Sequence, residues 1–125
     1  MTGSTGRKPI TDPQDLEREL VLRENAGDVE GMTALFTPDA VIELNDGKVL
    51  RGTAAIRAFF TELQVTGLAP DGRRFKLGTQ RPALIAGDLA LTSTRSIDGD
   101  ITSEVARRQA DGTWLWVLDR WSVNW

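Results

Sequence analysis

The chain predicts an α+β domain in which antiparallel strands curve around helices lying on one face. Amphipathic helical patterns fill the first half of its 125 residues, and strand-like runs separated by turn signals fill the second. Hydrophobic residues at 40% and charged residues at 26% are ordinary globular values, so a sizeable core can be buried. The length suits a single domain, taken as residues 12–125 behind a loose polar tail over 1–11.

Each element has a local reason. "DPQD" has the form of a helix start, with Asp12 as N-cap and Pro13 at the first helical position, where a missing N–H costs nothing. Leu16, Leu20 and Val21 make the buried stripe of that helix, and Gly27 ends it. Asp28 caps a second helix, "VEGMTALF", in which Val29, Met32, Leu35 and Phe36 share a face before Pro38 stops it. "AVIEL", "NDG" and "KVLRG" read as strand, turn and return arm of a hairpin. Thr53 caps a third helix whose Ile56, Phe59, Phe60 and Leu63 keep helical spacing. After the loop "GLAPDGRR", strands are predicted over 75–86, 88–97, 101–109 and 113–123, parted by "GD", "DGD" and "ADG" turns.

Composition narrows the chemistry. A net charge of -3, with no Lys/Arg run longer than two, gives no electrostatic footprint for nucleic acid. The start, "MTGSTGRKPITDP", lacks the apolar stretch of a secretory leader, and no window approaches the roughly 18 apolar residues of a membrane span. The expected location is the cytoplasm, with no membrane partner. There is no Cys, no His and no Tyr, which removes disulfides, thiol nucleophiles, imidazole catalysis and the usual zinc ligand sets. No D-x-D-x-D-G loop is present either, so no metal and no cofactor is expected. Chemistry is left to carboxyls, Lys, Arg, hydroxyls and backbone groups: proton transfer beside a carbonyl, cyclisation or water activation.

The last predicted strand, "TWLWVLDRWSV", is apolar on both parities. Strict alternation puts Leu115, Val117, Asp119 and Trp121 on one face and Trp114, Trp116, Leu118 and Arg120 on the other. Each Trp offers roughly 150–250 Å² for burial, so the Trp114/Trp116 side needs a cover. The expected cover is a second copy, a homodimer through the sheet, with the first helix or the N-terminal tail as the alternative. Asp119 then falls on the opposite face. Arg95 follows Leu89, Leu91 and Ser93 on one parity, and if that face is the inner one its guanidinium needs an acidic partner or an anionic ligand group. Glu104 shares parity with Ala106 and Arg108, which leaves its side open, while Glu43 and Asn45 oppose Ile42 and Leu44.

"ENAGDVEGMTALFTPDAVIEL", "RGTAAIRAFF", "GDLALTSTR" and "EVARRQADGTWLWVLDRW" resemble, in that order and spacing, the SnoaL-like branch of the nuclear transport factor 2-like superfamily. The resemblance covers nearly all of residues 12–123. It implies a cone, a strongly bent mixed sheet wrapped on helices, with a cavity at the wide end and commonly a homodimer through the sheet. It does not imply one chemistry, because fold and function separate widely in such superfamilies. Carried over from the ketosteroid isomerases, the catalytic base falls at Leu44 and the oxyanion-hole tyrosine at Leu20, both apolar here, and the proton-donating aspartate falls near Glu104. Against the limonene-type epoxide hydrolases, Asp119 and Arg95 match an Asp and an Arg, the second Asp falls at Ile97 beside Asp98, and Glu43 and Asn45 lie near the water-holding positions. The polyketide cyclases pair an Asp with a His that this chain lacks.

The expected protein encloses a small, largely apolar organic molecule. Asp119, positioned by Arg95, with Glu104 nearby, forms the candidate catalytic set, and Trp121, Val117, Phe60, Glu43 and Asn45 are the candidate ligand contacts. Desolvation beside Trp121 would raise the Asp119 pKa, whereas a close Arg95 would lower it. A cofactor-free isomerase, cyclase or hydrolase, a non-catalytic carrier and a structural dimerisation module all fit these residues.

Overall fold

The computed structural model describes residues 6–66 and 76–123, and the predicted "GLAPDGRR" loop lies outside them. Asp12 caps the chain's first turn, accepting from the Gln14 N–H at 2.9 Å, with Pro13 following it in a 3-10 turn over Pro13–Asp15. Helix α1, Leu16–Asn25, follows and ends at Gly27, whose φ of 69° is a left-handed conformation that suits glycine. Asp28 caps α2, Val29–Thr33, by accepting from the Gly31 N–H at 3.0 Å. This helix is shorter than predicted, because Phe36 already belongs to β1, Phe36–Glu43, a strand that runs through Pro38. Strand β2, Val49–Arg51, returns antiparallel to β1, and α3, Gly52–Thr66, buries Ile56 and Phe60 as its spacing predicts.

The second half is all strand: β3 Thr79–Gln80, β4 Leu84–Ala86, β5 Leu89–Thr92, β6 Thr94–Arg95, β7 Ser103–Arg108 and β8 Trp114–Arg120. Two predicted long strands are therefore each broken in two. The main sheet has the order β2-β1-β8-β7-β5-β4, antiparallel except where β1 meets β8, and β3 and β6 form a separate pair. Gly78 precedes that pair, and any Cβ there would collide with the Arg95 backbone carbonyl. None of the helices among the described residues is long and apolar enough to cross a membrane.

Strand β8 does not alternate strictly. Its pairing with β7 matches Ala106 to Trp116 but Val105 to Leu118, so Val117 is an extra residue, a bulge. One extra residue reverses the parity beyond it. Trp114 and Trp116, 5% and 1% exposed, therefore share the inner face with Asp119, while Leu118 points outward at 50%. The expectation that Trp114 and Trp116 form an outer interface is corrected: they are core. Trp116 packs on Phe36 at 5.4 Å between ring centroids, and Phe36 packs on Phe60 at 6.0 Å.

The tail expectation is also corrected for residues 6–11. Ile10 is a buried anchor whose carbonyl accepts the Trp114 N–H at 2.8 Å. Arg7 grips both oxygens of Asp28, each at 2.8 Å. The buried Arg23 donates to the carbonyls of Gly31 and Lys8 and to Glu19, tying α1, α2 and the N-terminal segment together. Truncation of Trp116 to Ala removes the ring on which Phe36 packs, and urea unfolding is expected to show a loss of about 3–5 kcal/mol. A loss below about 1 kcal/mol would place that indole outside the core.

Candidate functional site

A cavity of about 360 Å³ lies between α1, the far end of β8 and the turn joining β6 to β7. Helix α1 contributes Glu17, Leu20, Val21 and Glu24, residues at i, i+3, i+4 and i+7 that fall on one helical face. The sheet contributes Glu104 from β7 and Asp119 from β8, which are directly paired across the two strands. Leu63 of α3 and Trp121 add apolar wall, Trp121 standing edge-on to Phe59 at 5.3 Å. Asp98, Asp100 and Thr102 come from the turn and its return, and the exposed Asn45, Lys76 and Ser96 complete the rim.

The two sheet carboxyls are solvated differently by the protein. Glu104, 2% exposed, accepts from the Thr92 hydroxyl at 2.7 Å, and Thr92 in turn accepts from the Trp116 indole N–H at 3.2 Å. Burial pushes its pKa up, and the Thr92 and Thr102 hydroxyls pull it back. Asp119, 6% exposed, accepts from the Trp121 indole N–H, at 3.1 Å on Oδ2. Its Oδ1 is buried with no hydrogen-bond partner among the described residues. Burial first, then the nearby Glu104 and Glu17 charges, hold Asp119 well above the ordinary carboxyl range. On α1, burial together with the charges of Glu104 and Glu24 pushes Glu17 up to about 8, and burial pushes Glu24 up to about 7.

Burial holds Glu17, Glu24, Glu104 and Asp119 toward their protonated forms, and of the two sheet carboxyls Asp119 is the less supported as an anion. Because Trp121 occupies Oδ2, the proton of a neutral Asp119 sits on Oδ1. That unpartnered atom can give a proton to a ligand and take one back. Among the described residues no three acidic side chains converge in a way that could hold a metal ion.

The structure brings Asp119, Glu104, Trp121 and Asn45 of the predicted site residues into one cavity. The others lie elsewhere. Arg95 is exposed on β6 and lines a separate depression with Thr79, Arg81, Ser93 and Ile101, so it does not position Asp119. The inner face of β5 and β6 carries Ala90, Thr92 and Thr94, which turns Leu89, Leu91 and Arg95 outward. Val117 is the bulge, and Phe60 is core packed on Phe36 and Phe59. Glu43 pairs with Arg120 at 2.7 Å. Leu20 lines the cavity, whereas Leu44 packs at the edge of the core. Sequence reasoning missed Glu17 and Glu24, although both share a helical face with Leu20 and Val21. Acids at core spacing were the available signal.

Residues 18–124 match the SnoaL-like domain family. No curated protein matches the chain. Solved structures share the fold. A nuclear transport factor 2-like protein with a cystatin-like fold from Novosphingobium aromaticivorans is 20% identical, with a TM-score of 0.66 over 86% of this chain and 76% of that one. An uncharacterized protein with a cystatin-like fold from Caulobacter vibrioides is 21% identical, with a TM-score of 0.71 over 89% and 87%. A candidate ketosteroid isomerase from Shewanella frigidimarina is 20% identical, with a TM-score of 0.65 over 90% and 97%.

The cavity carboxyls make stability depend on pH in a definite direction. Glu17 has a folded pKa of about 8 against an ordinary 4.5, so the folded state binds more protons than the unfolded state between those values. Its contribution is fully present below the lower value and is lost as pH rises through the upper one. The thermal midpoint is expected to fall from about pH 5 to about pH 8, and Glu17→Gln to flatten that slope. A variant with the parent's slope would show that Glu17 is ionised in the folded protein.

Proposed function

The chain belongs to the SnoaL-like domain family, and on that premise we propose that it is a small-molecule pocket protein that moves protons with Asp119 and Glu104. The observation that carries this reading is the buried, unpartnered Oδ1 of Asp119 on the cavity wall. A buried polar atom without a partner costs roughly 1–3 kcal/mol, a cost that a bound ligand's hydrogen-bonding group would relieve. Two adjacent carboxyls whose surroundings separate their affinities for protons lose them in order. Glu104, supported by hydroxyl donors, gives up its proton the more readily, and Asp119 is the proton carrier. The apolar wall of Leu20, Val21, Leu63 and Trp121 suits the hydrocarbon body of an organic ligand. Proton transfer beside a carbonyl, as in isomerisation or cyclisation, needs only such a carrier.

The homodimer belongs to the same proposal, through other residues than the tryptophans. On the outer face the register aligns Val41, Leu118, Val105, Leu91 and Leu84 into one aliphatic row across five strands. The row beside it carries Glu43, Arg120 and Ser103. A second copy related by a two-fold axis presents the same row, so aliphatic meets aliphatic and the charged margin stays at the rim.

Two experiments test the reading. Catalysed exchange of α-protons for deuterium in a panel of cyclic ketones and enones is expected for the parent protein. Asp119→Asn is expected to slow it by about 10²–10⁴-fold with ligand binding retained. Equal rates in parent and variant would remove Asp119 from the chemistry, and binding without exchange in either would make the protein a carrier. For the dimer, sedimentation equilibrium is expected to give twice the chain mass, and Leu118→Glu to give a monomer of unchanged circular dichroism. A parent that sediments as a monomer at micromolar concentration would remove the interface.

A further inference from the structure

We infer that the ligand of this cavity carries a basic nitrogen on its apolar body, an organic ammonium held between the α1 carboxyls and the sheet carboxyls. The inference rests on the pocket reading above and names the chemical class that pocket selects. Three observations carry it.

First, the carboxyls come from every side. Glu17 and Glu24 face the cavity from α1, Glu104 and Asp119 from the sheet, and Asp98 and Asp100 from the turn between β6 and β7. The cationic residue lining it among the described residues is Lys76, which is exposed. An anionic ligand would only hold these carboxyls protonated, whereas a cation finds its counterion in whichever of them ionises.

Second, no cavity carboxyl has an ion-pair partner among the described residues. Asp15, Glu19, Asp28, Glu30, Glu43 and Asp88 each sit in an ion pair with Lys or Arg, whereas Glu17, Glu24, Asp98, Asp100, Glu104 and Asp119 do not. A ligand cation is therefore the counterion open to them.

Third, Asp119 Oδ1 is buried and unpartnered in the same wall, a polar atom aimed at whatever occupies the space. An ammonium N–H satisfies it and draws the carboxyl into its ionised form. Because no three acidic side chains among the described residues converge on a point, the geometry suits a cation with a body. The Trp121 indole beside Asp119 adds an aromatic surface, on which organic cations are favoured.

These features couple binding to protons. Glu17, Glu24, Glu104 and Asp119 are all held toward their neutral forms, by burial above all. An incoming ammonium ionises at least one of them, and that proton leaves to the buffer. Affinity for a cation therefore rises with pH across the neutral range, whereas affinity for a neutral ligand does not.

The test uses three probes with one phenethyl body: phenethylamine, phenethyl alcohol and hydrocinnamate. Calorimetric titration of the full chain near neutral pH is expected to show the amine binding at least ~10-fold more tightly than the alcohol, with no binding of the carboxylate. Repeating the amine titration in two buffers of different ionisation heat is expected to show net proton release, with none for the alcohol. The double variant Glu17→Gln/Glu24→Gln is expected to bring amine and alcohol to within about threefold of each other. The buffer comparison needs no variant, so it stands even if the substitutions disturb folding. An alcohol or carboxylate that binds as tightly as the amine, or an amine that binds without proton release, overturns the cation inference and leaves the pocket reading in place. Failure of all three probes to bind overturns both.

Discussion

Strand β8 is paired with β1 on one side and β7 on the other, and both ladders shift register at Val117: toward β7 it is the extra residue, and toward β1 it stands opposite residues 37–40. Without it, the faces of Trp116 and Asp119 would be opposed, and the strand could serve either a core or a cavity. With it, the first half of β8 sends Trp114 and Trp116 into the aromatic cluster with Phe36 and Phe60, and the second half sends Asp119 into the pocket. The boundary between dry core and polar cavity is thus a single backbone irregularity. Bulges near functional sites commonly re-aim side chains in this way. The remaining parts follow from it: Thr92 lies where it can bridge Trp116 to Glu104, and Glu104 lies where it meets Asp119.

The helical part of the fold was legible from short-range chemistry. Asp12, Pro13, Gly27 and Asp28 do what their residue types suggest, and Ile56 and Phe60 are buried where helical spacing puts them. The sheet was legible as a sheet but not in its facing. Alternation assumes that the apolar parity is the inner one, and here it is not. On β5 and β6 the buried residues are Ala90, Thr92 and Thr94, and Leu89 and Leu91 face outward. Arg95 was misplaced by that assumption, and Trp114 and Trp116 by the bulge, which leaves no mark in a residue pattern. Asp119 and Glu104 were found, the first through its apolar neighbours and the second through the resemblance. Glu17 and Glu24 were not, because acids on a helix are ordinarily its solvated side.

Gathering several carboxyls in one cavity opposes the stability that the rest of the chain supplies. The opposition is contained by letting them stay protonated and by grading their hydrogen bonds. Glu104 has hydroxyl donors, Asp119 has one indole N–H, and the difference orders the pair without any histidine. Elsewhere the chain is held firmly. Arg23 joins three segments through backbone carbonyls, and Ile10 closes the end of the core beside Trp114. A fold can carry an unsatisfied site of this kind when its other polar groups are well served.

Proton retention in the cavity also changes what the molecule looks like from outside. The formal charge of -3 counts every carboxyl as ionised, yet the folded chain keeps protons on acids that the unfolded chain would release. The native protein is therefore less negative than its composition, and its isoelectric point lies above the 4.9 that composition gives. Native and denatured forms consequently separate in an electric field by charge as well as by size, so a charge-resolving gel registers the protons that folding retains.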